Sequence, residues 1–152
     1  MNENLNILLP NQLFEDSPLM NNQYEFVLVE EFLFFNQFKF HKQKILFHRI
    51  TMKNYQQYLE SHGRKVKYIE SYETESDIRN LLENLCINLK KIEIIDPDDY
   101  YIQKRISNFC KKNQIQLIVH ENPSFITKKY ELNEFFKKDK KKFFQTTFYK
   151  SQ

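Results

Sequence analysis

Glycine is almost missing from this sequence: one occurs in 152 residues, beside two cysteines, four prolines and neither alanine nor tryptophan. Some of these scarcities remove a class of function. Phosphate cradles need glycines where backbone amides approach an anion, and neither G-x-G-x-x-G nor G-x-x-x-x-G-K-[ST] is present. The G-x-S-x-G elbow is missing too, which excludes an α/β-hydrolase. Cys86 and Cys110 are far apart, with no C-x-x-C or Cys/His cluster, so they read as buried thiols rather than metal ligands or a disulfide. His41, His48, His62 and His120 lack metal-ligand spacing. The N-terminus lacks a basic segment followed by a long apolar run, and no stretch nears the roughly 20 apolar residues that span a bilayer. The expectation is a cytoplasmic protein with no membrane partner. The missing alanine, set against abundant Lys, Asn, Ile, Phe and Tyr, reads as a coding bias towards A and T. Lysine and phenylalanine counts therefore carry little weight alone.

What is present is ordinary globular material: 41% hydrophobic, 28% charged and 16% aromatic residues. That aromatic content argues against disorder. The net charge of +3 is well short of a dedicated DNA-binding module. Short Ile/Leu/Val runs at 6–9, 24–29, 66–70, 92–95 and 115–119 read as strands buried on both faces of a parallel sheet. Between them lie helical patterns. Residues 42–61 place Ile45, His48, Met52, Tyr55 and Leu59 on one stripe, with Gly63 as the C-terminal stop. His48 on that stripe reads as a hydrogen-bonded core or boundary histidine. Residues 75–89 and 99–112 form two more helices, the second opened by Asp96-Pro97-Asp98 and closed by Lys111-Lys112. The link at 10–23 is irregular, since Pro10 and Pro18 leave room for only a short helical piece. Right-handed crossovers turn this series into an α/β fold, a five-stranded doubly wound, Rossmann-like parallel sheet.

After residue 119 the pattern changes. Residues 120–129 read as a loop, and 130–138 and 142–150 as short helices split by the lysine run 137–142. That run reads as a solvated connector, with a nucleic-acid contact as the alternative. Phe143, Phe144, Thr147 and Phe148 fall on one side of the last helix, which either folds back on the sheet or begins a further domain. The expected division is an α/β domain at 1–128 and short helices with a basic linker at 129–152.

The carboxyl edge of such a sheet is where ligands bind. Glu30-Glu31 leaves the second strand there and Asp96-Pro97-Asp98-Asp99 the fourth, and both also suit helix capping and loop solvation. Together with the Asn11-Gln12 amides they form a polar edge suited to a flat, neutral heteroaromatic ring, with Phe34, Phe35 or Tyr100 as walls. A receiver domain would need an acidic pair after the first strand, where this chain has Leu-Pro-Asn-Gln.

The opening Ile7-Leu8-Leu9-Pro10-Asn11-Gln12-Leu13 resembles that of the bacterial photolyase-related proteins, the iron–sulfur photolyases and cryptochromes that include prokaryotic (6-4) photolyases. The likeness continues through Val29-Glu30-Glu31, Phe34-Phe35, Phe40-His41-Lys42-Gln43-Lys44, His48-Arg49 and Met52-Lys53. Asp96-Pro97, Asn122-Pro123-Ser124-Phe125 and Phe148-Tyr149-Lys150 extend it. The resemblance implies a domain that holds an antenna, 6,7-dimethyl-8-ribityllumazine, at the sheet edge. Asn11, Gln12, Glu30 and Asp96 would hydrogen-bond it and Ile45 would pack against it. It also implies a partner: a helical domain, on the same or a separate polypeptide, that carries FAD, the iron–sulfur cluster and the contact with damaged DNA. This chain ends where that domain would begin, so it is not expected to be catalytic by itself. The alternative is a non-catalytic interaction module with a vestigial pocket that docks a partner through its aromatic C-terminal helix.

Overall fold

The computed structural model describes residues 3–85, 87–137, 139, 141–142 and 144–151. It divides into two compact units, 1–122 and 123–152. Cys86, Phe143, Lys138 and Lys140, on which part of the sequence reading rests, lie outside the described residues.

The first unit is a five-stranded parallel sheet: β1 (Asn4–Leu8), β2 (Glu25–Val29), β3 (Val66–Ile69), β4 (Lys91–Ile95) and β5 (Gln116–His120), in the order β3-β2-β1-β4-β5. β1 sits in the middle, with Ile7 opposite Val27 on one side and Ile94 on the other. Alternate side chains leave on opposite faces. Leu5, Ile7, Val27, Val29, Ile92 and Ile94 pack beneath α3 (Ile78–Leu85) and α4 (Tyr100–Lys112). Leu8, Phe26, Leu28 and Ile95 pack beneath α2 (Lys42–Ser61) and Leu19, which comes from a 3₁₀ turn at Pro18–Asn21. Each such side chain, fully buried, contributes about 1.5–3 kcal/mol.

Burial on both faces holds for β1, β2 and β4 and fails for the two outer strands. β3 and β5 have a neighbour on one side only, and Lys67, Gln116 and Val119 meet solvent.

The helices stop and start where side chains cap them. His41 Nδ1 accepts the Gln43 amide at 3.2 Å to open α2. Gly63, at φ +72°, closes it, with Gly63 N bonded to Glu60 O and Arg64 N to Leu59 O. The helix expected over 75–89 is shorter. A 3₁₀ turn at Thr74–Ser76 precedes it, and Asp77, extended at ψ 120°, accepts the Arg79 amide and starts α3 at Ile78. Asp99 caps α4 through Ile102 N, which leaves Pro97 outside the helix. One short helix, α1 (Phe32–Phe35), escapes the sequence reading; the Glu31 carboxylate caps it. Cys110 is buried, and burial pushes its thiol up to about 11.

The second unit holds α5 (Lys129–Phe135) and α6 (Gln145–Ser151). Phe148 is buried against Phe135 and Phe136, with ring centroids 4.9 and 5.2 Å apart. Phe144 precedes α6 and is exposed, so it does not share a buried face with Phe148 as the helical spacing implied.

Candidate functional site

A doubly wound sheet offers a crevice where its strand order reverses, here between the carboxyl ends of β1 and β4. Gln12 fills it. Its Oε1 accepts the Leu9 amide at 3.1 Å, and its Nε2 donates to Ile95 O at 2.9 Å and Asp96 O at 3.3 Å. Asn122 donates to the same Asp96 carbonyl and to the Asp98 carboxylate. The Asp96 carboxylate accepts the Asp98 amide. With no glycine to let a ligand near the backbone, a side-chain amide joins the two strands instead.

The open space lies beside this plug. A groove of about 780 Å³ runs between the loop after β1 and the exposed flank of α2. Pro10, Asn11, Leu13, Phe14 and Glu15 line one side, and Phe47, His48, Thr51, Asn54, Tyr55 and Tyr58 the other. Tyr55 donates to Phe14 O at 2.7 Å and Tyr58 to Glu15 O at 3.2 Å, so the helix holds the loop in place. The two tyrosine rings stack with centroids 5.5 Å apart. His48 is half-buried against the rings of Phe34, Phe35 and Phe47. Burial, helped by Lys44, lowers its pKa below the ordinary histidine value, which keeps the imidazole neutral at pH 7.

Of the five residues expected at the site, Asn11 alone lines the groove. Ile45 is half-buried against the cluster under α2. Gln12 and Asp96 are brought together at the plug. Glu30 lies on the α2 face of the sheet, where Arg49 Nε and Nη2 donate to its two oxygens at 2.7 and 2.5 Å, Tyr68 OH at 2.8 Å and Ser71 N at 2.9 Å. Burial pushes this carboxyl up, but the four donors outweigh it and its pKa falls. Phe34 and Phe35 touch His48 rather than wall an edge pocket, and Tyr100 is exposed. The core stripe of α2 does not include most of the side chains that line the groove. Phe47, Thr51, Asn54 and Tyr58 recur at spacings of four, three and four beside the core stripe, a second helical face visible in the sequence.

A family model described as deoxyribodipyrimidine photo-lyase-related protein matches residues 6–152. The chain belongs to that family. It is also similar to an uncharacterized protein of Acanthamoeba polyphaga mimivirus, 31% identical over 159 residues, covering 97% of this chain and 80% of the relative. In this photolyase-related chain, no group of three or more His, Cys, Asp or Glu among the described residues is disposed to hold a metal ion. No helix among them is long and apolar enough to cross a membrane.

Proposed function

We propose that this photolyase-related chain is the antenna-holding α/β domain of an iron–sulfur, (6-4)-type photolyase or cryptochrome, with 6,7-dimethyl-8-ribityllumazine in the α2 groove. The observation that carries the reading is the groove itself. Its volume lies within the roughly 300–1,000 Å³ of small-molecule sites, and its lining combines ring faces and aliphatic side chains with neutral polar groups and one carboxylate, Glu15. Phe14, Phe47 and Tyr58 offer apolar walls to a flat heterocycle. Asn11 and Asn54 offer amide partners to its carbonyl and nitrogen edge, neutral His48 adds one more, and Thr51 Oγ1, whose proton is donated to the Phe47 and His48 carbonyls, can only accept. In this reading Gln12, Glu30 and Asp96 hold the walls in place, and Ile45 packs beneath them. The antenna supplies absorbed light energy. Electron donation to a DNA lesion belongs to a helical FAD and iron–sulfur domain on the same or a separate polypeptide, so this chain is not catalytic alone. The working compartment is the cytoplasm.

Titration of the purified chain with the lumazine, followed by absorbance and fluorescence, tests the reading. Saturable quenching is expected, weakened about fivefold or more in Tyr58→Ala and Asn54→Ala, since each removes a stacking or hydrogen-bonding contact worth roughly 1–3 kcal/mol. A flat titration in a folded chain would sink it.

A second reading is an interaction module whose groove is vestigial. Phe144 and Tyr149, both largely exposed in the second unit, favour it. A neighbouring reading frame for the helical domain would support the antenna reading, and an isolated gene the module.

A further inference from the structure

The formal charge of +3 combines two unlike parts. Residues 1–122 net −2. Residues 123–152, the second unit, hold eight lysines against Glu131, Glu134 and Asp139, a net +5. A coding bias acts along the whole chain and does not give its two parts opposite signs. Such asymmetry points to a polyanionic partner. The same unit carries eight aromatic side chains, and after Ile126 its one Ile, Leu, Val or Met is Leu132. Its apolar surface is therefore made of rings.

Ring contacts join several of them in one patch. Phe148 is buried at the centre, 4.9 Å from Phe135 and 5.2 Å from Phe136, and Tyr149 packs on it at 5.7 Å. Phe136 is nonetheless 39% and Tyr149 66% exposed. Both rings are held from behind and open in front, so they lose little freedom when a flat partner stacks on them.

Cations flank this platform. Lys150 follows Tyr149, Lys137 follows Phe136, and Lys141 and Lys142 lie on the segment between α5 and α6. All four are exposed, and none is within ion-pair distance of a carboxylate among the described residues. Lys137 shares a hollow of about 320 Å³ with Glu134 and Asp139, which temper its charge. Lys141, Lys142 and Lys150 are the cations best placed to meet phosphates.

We infer that the second unit binds single-stranded nucleic acid, with bases stacked on Phe136 and Tyr149 and phosphates on Lys141, Lys142 and Lys150. The strand must be unpaired, because a duplex keeps its base faces inside its own stack. A lipid surface would take a helix with a broad apolar face. Beside Tyr149, α6 exposes Gln145, Thr146, Thr147 and Lys150 instead. Ring and phosphate contacts read no base edge, so DNA and RNA share this chemistry. The inference is independent of what the α2 groove holds.

Fluorescence anisotropy of a labelled oligothymidylate and an oligouridylate, each of about 15 nucleotides, titrated with the full chain, tests it. Saturable binding to at least one is expected at about 50 mM salt, with a Kd of about 10 μM or tighter; the tighter of the two names the source. The slope of log K against log salt should be about −2, from about −0.7 for each of three lysines. Lys141→Gln with Lys142→Gln should reduce that slope by about 1.4. Tyr149→Leu and Phe136→Leu keep apolar bulk but remove a ring. Each should weaken binding about fivefold or more, with circular dichroism unchanged. Heparin, a polyanion without bases, should bind the wild type and Tyr149→Leu alike. The inference is overturned by a chain that binds neither oligonucleotide, by ring variants that bind as the wild type does, or by a salt slope unmoved by the lysine pair. So it is by a chain that ignores both strands and sediments with phosphatidylglycerol vesicles, which would assign the unit to a lipid surface.

Discussion

Glu30 and Glu31 leave the same strand in succession, and both side chains are fully buried. One turns to the α2 face and the other to the α4 face, and their environments shift the two carboxyls in opposite directions. Glu30 meets four donors, two of them from one guanidinium, and stays charged. Glu31 Oε2 accepts the Leu33 amide at 2.5 Å, but its Oε1 has no hydrogen-bond partner and Arg105 Nη1 stops 4.0 Å away. Burial pushes the Glu31 carboxyl up to about 7, and nearby Asp77 adds to the rise. Burial alone does not set the state of a carboxylate; the number of donors that reach it does.

Removing the counter-charge should have the largest effect. Arg49→Met leaves the Glu30 carboxylate buried without its main partner. Breaking a buried pair costs about 3–5 kcal/mol, and the partial exposure of Arg49 reduces this to about 2–3 kcal/mol. Urea unfolding at pH 7 measures it, and a change below about 0.5 kcal/mol would place Glu30 in contact with water.

The two glutamates should also give opposite pH slopes. A carboxyl whose pKa is raised on folding takes up a proton in the native state, so its contribution is full below the unfolded pKa near 4.5 and fades as pH climbs through about 7. A carboxyl whose pKa is lowered contributes above about 4.5 and loses that as pH falls. Glu31→Gln should therefore flatten the decline in stability between pH 5 and 8 and leave the variant about 1–2 kcal/mol more stable than the wild type at pH 8. Thermal melts across that range decide it; parallel curves for the two proteins would show that Glu31 is ionised throughout.

The smallest expected effect comes from removing one donor of the four. Tyr68→Phe should cost about 1 kcal/mol and shift the acid limb of the stability profile upward, because Glu30 would then protonate more easily. An unchanged acid limb would mean that Arg49 and Ser71 hold the charge by themselves.

The sheet was legible because its signal is local. Ile92, Ile94 and Ile95 read as a buried strand, and Gly63 after Leu59 as a helix stop. The same locality misled at the edges. β5 has as apolar a sequence as β4, and nothing in Gln116–His120 says that one flank lacks a partner strand. At the site, Asn11 and Gln12 are adjacent amides of similar promise, yet one faces the groove and the other is spent on carbonyls 83 and 84 residues away.

The sequence by itself determined the order of strands and helices, the absence of a glycine phosphate cradle and, through its motifs, the photolyase-related family. Tertiary structure alone decided which polar groups stay free, because a side chain's partners come from elements remote in sequence. It filled the switch point with Gln12, charged Glu30 through Arg49, left Glu31 short of a donor, and opened the groove beside α2 rather than between the strands.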